Sequence, residues 1–126
     1  NGIIGLECAY GVCHKVLVDG GFISDKRLIE LMSTEPMKLM GHAPTDITAL
    51  LDAQQDGTGE GNRVLDLRTI GDAEEIGLAV LDTAKSWTVD PERFHSTARN
   101  TPFGGWRVSG LPLATIIGKS LAFSRL

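Results

Sequence analysis

The chain is 126 residues long, enough for one modest hydrophobic core. Its apolar fraction of 42% and charged fraction of 22% are those of a soluble globular protein, and they exclude a disordered tail or a membrane-embedded segment. A formal net charge of -4 argues against a nucleic-acid partner, which would need concentrated Lys and Arg to displace counterions.

The chain opens on Asn1-Gly2-Ile3-Ile4-Gly5-Leu6-Glu7, an apolar run with no initiator Met and no polar lead-in, which reads as a piece of a longer chain. From Leu6 to Val18 the apolar residues Leu6, Ala9, Tyr10, Cys13, Val16 and Leu17 recur at three- and four-residue steps, which predicts one amphipathic helix. Cys8 and Cys13, five apart on that helix, point in divergent directions, so no disulfide is expected. Two reduced thiols suit an intracellular, reducing compartment, here the cytoplasm. Gly20-Gly21 supplies a stop. Ser24 then caps a second helix with Leu28, Leu31 and Met32 on its apolar face and Ile29 beside it. Thr34-Glu35-Pro36 is expected to break and restart the chain, with Pro36 at a first helical position and Gly41 ending the turn that carries Met37 and Met40. Nothing in these 42 residues offers a partner for all the apolar faces.

His42 to Asn62 reads as a surface excursion, polar and flexible from Gln54 onward. The period then shortens to that of strands. Val64-Leu65-Asp66-Leu67 and Leu78-Ala79-Val80-Leu81-Asp82 are predicted strands about the acidic turn Gly71-Asp72-Ala73-Glu74-Glu75, and Trp87-Thr88-Val89 is a further extended piece. Asp90-Pro91 suits a single helical turn. Trp106 to Ser109, Leu113 to Ile117 and Leu121 to Phe123 predict three closing strands, with turns at Gly110 and Gly118. Helices first and strands afterwards suggest the tail of an α/β domain followed by a small β layer. No apolar run approaches the roughly 20 residues of a membrane span, and no secretory pattern is present.

The polar side chains form no catalytic constellation. Cys8, Cys13 and His14 could be imagined as a soft metal site, but the adjacent positions 13 and 14 face different ways on a helix, so buried thiols and a partly exposed imidazole are expected. His42, following Gly41, is expected to cap the last carbonyls of a helix through its imidazole. His95 is expected to fix a loop by hydrogen bonds. Glu7 at the start of the first helix gains from the helix dipole, while Gly2 and Gly5 free the backbone where amides can meet an anionic or carbonyl-bearing ligand. Glu74-Glu75 reads as a solvated turn. No serine stands in a triad, and no phosphate-binding glycine loop precedes a helix.

Several stretches nevertheless resemble the zinc-dependent dihydroorotases of the cyclic amidohydrolase superfamily. His95-Ser96-Thr97-Ala98-Arg99-Asn100-Thr101-Pro102-Phe103-Gly104-Gly105-Trp106 is similar to that family's H-S-x-x-x-N-T-P-F-x-G segment, and Trp87-Thr88-Val89-Asp90-Pro91 to the W-T-V-D-P run before it. The opening residues to Glu7 resemble P-x-G-x-x-G-L-E. Ser33-Thr34-Glu35-Pro36 is similar to S-x-N-P with Glu35 in place of Asn, and Ala114-Thr115-Ile116-Ile117-Gly118-Lys119 fits the family's ending. Hydantoinases and allantoinases share the G-L-E element but usually differ at the N-T-P-F loop.

The resemblance implies an α/β plus β architecture in three blocks. Residues 1–42 would be the C-terminal helices of a TIM-like (β/α)8 barrel, 43–62 a surface excursion, and 63–126 strands of a small β-sandwich with the N-T-P-F loop. It implies reversible, zinc-dependent interconversion of dihydroorotate and N-carbamoyl-aspartate in de novo pyrimidine biosynthesis. The family's metal ligands lie upstream of the segment matching Asn1, so zinc belongs to the full-length enzyme. This segment is expected to bind no metal, to supply no catalytic residue and to be inactive alone. Its implied substrate contacts are backbone groups of Gly2 and Ile3. Implied partners are the missing barrel portion, the small-molecule substrate, and a second copy or aspartate carbamoyltransferase. The alternatives are a non-catalytic scaffold of the same fold, or a related cyclic amidohydrolase. Within this picture the stretch Phe94 to Trp106 is a brace acting through Asn100, Pro102 and Phe103, and the isolated chain is expected to associate through its uncovered helical faces.

Overall fold

A computed structural model of the protein describes residues 2–54, 66 and 77–125. The chain forms two compact units, one from Asn1–His42 with Leu81–Pro112 and the other from Ala43–Val80 with Leu113–Leu126. The described strands make one sheet in the order β1-β2-β3, with β1 at Gly77–Thr88, β2 at Arg107–Ile117 and β3 at Ser120–Ser124.

In the first unit the expected helix over 6–18 is present. It begins as a 3-10 turn at Leu6–Cys8, continues as α-helix at Ala9–Cys13 and widens to a π turn at His14–Val18. The tight first turn advances the side chains by about 120° per residue rather than 100°. This turns Leu6 out to solvent, 92% exposed, and places Cys8 inward at 1%. Leu6 therefore does not lie on the buried face predicted for it. Gly11 allows a close approach to β2, because a Cβ there would stand 2.7 Å from Cγ2 of Val108.

Ser24 caps the second helix as expected, its Oγ accepting the Arg27 N–H at 3.2 Å. The expected break at Thr34-Glu35-Pro36 does not occur. Asp25–Ile29 is α-helical, Glu30–Thr34 is a π turn, and Glu35–Leu39 continues as α-helix. Pro36 has no N–H, and its ring crowds the carbonyl one turn back, so the ladder widens just ahead of it instead of ending. The Glu35 N–H reaches the Glu30 carbonyl, five residues back. At the C-terminus it is the backbone N–H of His42, rather than the predicted imidazole, that caps the helix, donating to the Met37 carbonyl at 2.9 Å. Only Leu28 of the predicted apolar face is fully buried; Leu31 and Met32 remain 43% and 41% exposed.

The strand and loop portion of this unit packs on the first helix. Cys8, Val89, Phe94 and Val108 form the buried cluster, flanked by Ile4, Val12, Trp87 and Phe103. The predicted pieces Leu78–Asp82 and Trp87–Val89 belong mostly to one long strand, β1. Strands β1 and β2 run antiparallel: Ser86 meets Ser109 through their hydroxyls, and three residues on Val89 donates to the carbonyl of Trp106, three residues back. Gly110 is not the predicted turn but an interior position of β2 with φ +90. Its missing side chain admits the Tyr10 ring, whose Cε1 would lie 2.3 Å from a Cβ there. The Gly110 carbonyl accepts the indole N–H of Trp87 at 3.0 Å.

In the second unit Ile47–Ala53 form a third helix, with no buried residue, within the stretch expected to be a surface excursion. Asp46 caps it through Oδ1, 2.9 Å from the Ala49 N–H. The Gln54 amide brackets Asp66, donating to its carbonyl at 2.9 Å and accepting its N–H at 2.8 Å. Gly118 is a turn as predicted. It joins β2 to β3 in an antiparallel hairpin with Ile117 opposite Ser120 and an irregularity between Thr115 and Ile116. The rest of the predicted strand Val64–Leu67, the polar run after Gln54 and the acidic turn with Glu74-Glu75 lie outside the described residues.

Candidate functional site

The residues singled out at the two ends of the sequence meet in the first unit. The loop between β1 and β2 opens with Asp90, whose Oδ1 accepts the Glu92 N–H at 3.0 Å and so starts the short 3-10 turn Pro91–Arg93 predicted for it. The loop closes where Gly105 donates to the Val89 carbonyl at 2.8 Å. Inside it Ser96 Oγ accepts from Ala98 at 3.3 Å, and Arg99 donates to the carbonyls of Ser96 and Ala98 while lying 3.5 Å from Glu92. The Phe103 ring lies beside Gly5, where an added Cβ would be in ordinary contact at 3.4 Å, and meets Trp106 edge-on at 5.4 Å.

Glu7 ties this loop to the first helix. One carboxylate oxygen accepts the His95 N–H at 3.0 Å and faces the His95 Nδ1 at 3.1 Å, and the other accepts the Ser96 N–H at 3.1 Å. Partial burial opposes ionisation of Glu7, but the two backbone amides and the imidazole outweigh it and hold the carboxyl below its ordinary range. Glu7 is thus a loop anchor more than the dipole partner expected from its place in sequence. His95 fixes the loop, as expected.

A second tie sits five residues on. The Ile4 N–H donates to the Asn100 carbonyl at 3.1 Å, and the Asn100 side-chain amide donates to the Gly2 carbonyl. Of the predicted brace residues, Asn100 and Phe103 make these contacts, whereas Pro102 is exposed. Gly2 and Ile3 are also exposed, Ile3 at 70%, and nothing lies within 4 Å of the Cβ position at Gly2.

A separate polar cluster joins the first two helices. His14, expected to be partly exposed, is only 6% exposed because the helix face that carries it also carries Tyr10 inward. Its Nε2 lies 2.9 Å from Asp25 Oδ1, which also accepts the Tyr10 hydroxyl at 3.3 Å. His14 Nδ1 is 3.3 Å from Asp19, close enough for attraction but not aligned for a hydrogen bond. Burial and the Asp25 charge push the Tyr10 hydroxyl above its ordinary pKa. The two cysteines are free: Cys8 is buried with its thiol against the Gly5 carbonyl at 3.4 Å, and Cys13 is half-buried. Among the described residues no three His, Cys, Asp or Glu side chains gather where they could hold a metal ion. No helix among them is long and apolar enough to cross a membrane.

No protein-family model matches the chain. Individual relatives do. The chain is 36% identical over 118 residues to a dihydroorotase of Anaeromyxobacter dehalogenans strain 2CP-1, with 94% of the chain and 22% of that protein covered. It is 27% identical to the dihydroorotases of Geobacillus sp. strain WCH70 and Geobacter metallireducens, which match 98% and 99% of the chain. The chain spans about a quarter of the length of these relatives, 22% to 24%.

Proposed function

We propose, because the chain belongs to the dihydroorotase family as a C-terminal segment, that the whole protein interconverts dihydroorotate and N-carbamoyl-aspartate in de novo pyrimidine biosynthesis. The observation that carries this reading is a match running along nearly all of the chain. The internal ties of Glu7 to His95 and Ser96, and of Asn100 to Gly2 and Ile4, support it, because they join the two stretches on which the resemblance rests.

In this reading the helices of residues 1–42 complete a TIM-like barrel, and the strands belong to a small β-sandwich beside it. The apolar side chains left outside, among them Leu39 at 89% and Leu6 at 92% exposure, favour a covering partner, here the remainder of the same protein. Zinc is the proposed cofactor of that whole protein. The described side chains do not form a site for it, and none of its chemistry is assigned to them. The segment contributes backbone at Gly2 and Ile3 to substrate and is inactive alone. The enzyme acts in the cytoplasm, as a homodimer or with aspartate carbamoyltransferase.

The test is turnover by the whole protein. Purified with its metal, it should interconvert carbamoyl aspartate and dihydroorotate in preference to hydantoin or allantoin. Preference for either of the other rings would move it to a sister hydrolase, and absence of turnover together with a stable carbamoyltransferase complex would make it a scaffold.

A further inference from the structure

We infer that Asn100 is a positioning residue for the substrate-facing backbone, an inference that rests on the functional reading above. The segment from Gly2 to Gly5 is anchored at its far end, where Ile4 flanks the buried cluster and the Gly5 carbonyl accepts the Cys8 N–H at 3.1 Å, but little holds its near end. Two of its four residues have no side chain, and Ile3 points largely to solvent. The conformation at Gly2 and Ile3 must therefore be imposed from outside, since glycine loses more conformational freedom on ordering than any other residue.

Asn100 imposes it from both sides of Ile3. Its side-chain amide donates to the Gly2 carbonyl, and its own carbonyl accepts the Ile4 N–H at 3.1 Å. One residue thus holds the peptide groups that flank Ile3, as a partner strand would, while the Cβ position at Gly2 stays free of contacts. Asn100 is held in turn. Thr101 donates to the Arg99 carbonyl at 3.0 Å, Arg99 donates to the carbonyls of Ser96 and Ala98, and Glu7 holds the amides of His95 and Ser96. The chain from 2 to 7 and the loop from 95 to 100 are fastened at both ends.

The chemistry of the side chain matters here. Toward a carbonyl an Asn amide is a donor, whereas an Asp carboxylate of nearly the same shape is only an acceptor. Backbone groups that orient a substrate lose effect when displaced by as little as about 1 Å, because binding and orientation depend on a preset geometry. Loosening the tie should therefore appear in substrate binding before it appears in the chemical step.

The experiment compares Asn100→Ala and Asn100→Asp with the unsubstituted whole enzyme. The readouts are KM and kcat for dihydroorotate, the thermal midpoint, and hydrogen exchange in the peptide containing residues 2–5. Expected for both variants, which lose the side-chain bond to Gly2 but keep the backbone carbonyl that serves Ile4, is a KM raised about tenfold, as for loss of one hydrogen bond, with kcat within about twofold. The 2–5 amides should exchange faster while the midpoint stays nearly fixed. Asp should be no better than Ala despite its shape. Normal KM in both variants, or rescue by Asp, would overturn the positioning role, as would a fall in kcat that merely tracks a lowered midpoint. An unsubstituted enzyme with no turnover on this substrate overturns the functional reading itself, which is a distinct result from turnover that is indifferent to residue 100.

Discussion

Oε1 of Glu7 accepts the backbone N–H of Ser96 at 3.1 Å, joining residues 89 apart in sequence. The other oxygen serves His95, so a single half-buried carboxylate satisfies two loop amides that have no helix or strand partner. Glu7→Gln keeps the shape but leaves one of these amides facing an NH2 group. The expected loss is about 1–2 kcal/mol, at the lower end for a charged hydrogen bond because the site is partly solvated. Urea denaturation of the two forms at neutral pH checks it, and equal midpoints would show that the tie adds nothing to stability.

The same carboxylate predicts an acid-sensitive contribution. Its pKa in the folded chain is depressed below the ordinary value of 4.5, so the unfolded chain binds the proton more readily. Stability from this group is therefore fully present above that ordinary value and is lost as pH falls through the lower folded-state value. The stability gap between the unsubstituted chain and Glu7→Gln should be constant near neutrality and close below about pH 4.5. A gap that widened on acidification would contradict the assigned direction.

Much of the first unit is legible from sequence, and the misreadings have definite causes. The caps at Ser24 and Asp90 follow from local chemistry, and so does the helix over 6–18. Pro36 misleads because a break and a widened turn answer the same missing N–H, and only the packed helix chooses between them. Gly110 misleads in the opposite way: a glycine in a strand pattern signals a turn or a close approach, and the Tyr10 ring that decides the matter is a hundred residues away. The tie from Glu7 to the loop is invisible to periodicity for the same reason. The resemblance assigns both stretches to one family, but the hydrogen bonds between them arise only where the fold brings residues 89 apart together.

The two thiols should differ in reactivity. Cys8 is 1% exposed, burial and the neighbouring Glu7 charge push its pKa up, and both effects deplete the reactive thiolate. Cys13 is only half-buried. Under native conditions a thiol-specific reagent should modify Cys13 first, with Cys8 following only as the chain unfolds. Mass mapping of the labelled peptides decides the order, and early labelling of Cys8 would mean that the cluster with Val89 and Val108 opens readily.

A single methyl group added at Gly110 is poorly tolerated. An alanine there meets two independent penalties: a backbone at φ +90, where L residues are strained, and a Cβ 2.3 Å from Cε1 of Tyr10. The ring cannot simply swing aside. It is 9% exposed, and its hydroxyl is bonded to Asp25, which also faces His14. Gly110→Ala should therefore cost about 2–4 kcal/mol. Tyr10→Phe, which removes only a 3.3 Å hydrogen bond to a half-exposed carboxylate, should cost no more than about 1 kcal/mol. Introducing Tyr10→Ala into the Gly110→Ala chain separates the two penalties. Partial recovery relative to the sum of the single changes measures the steric term, and strict additivity would assign the whole cost to backbone strain.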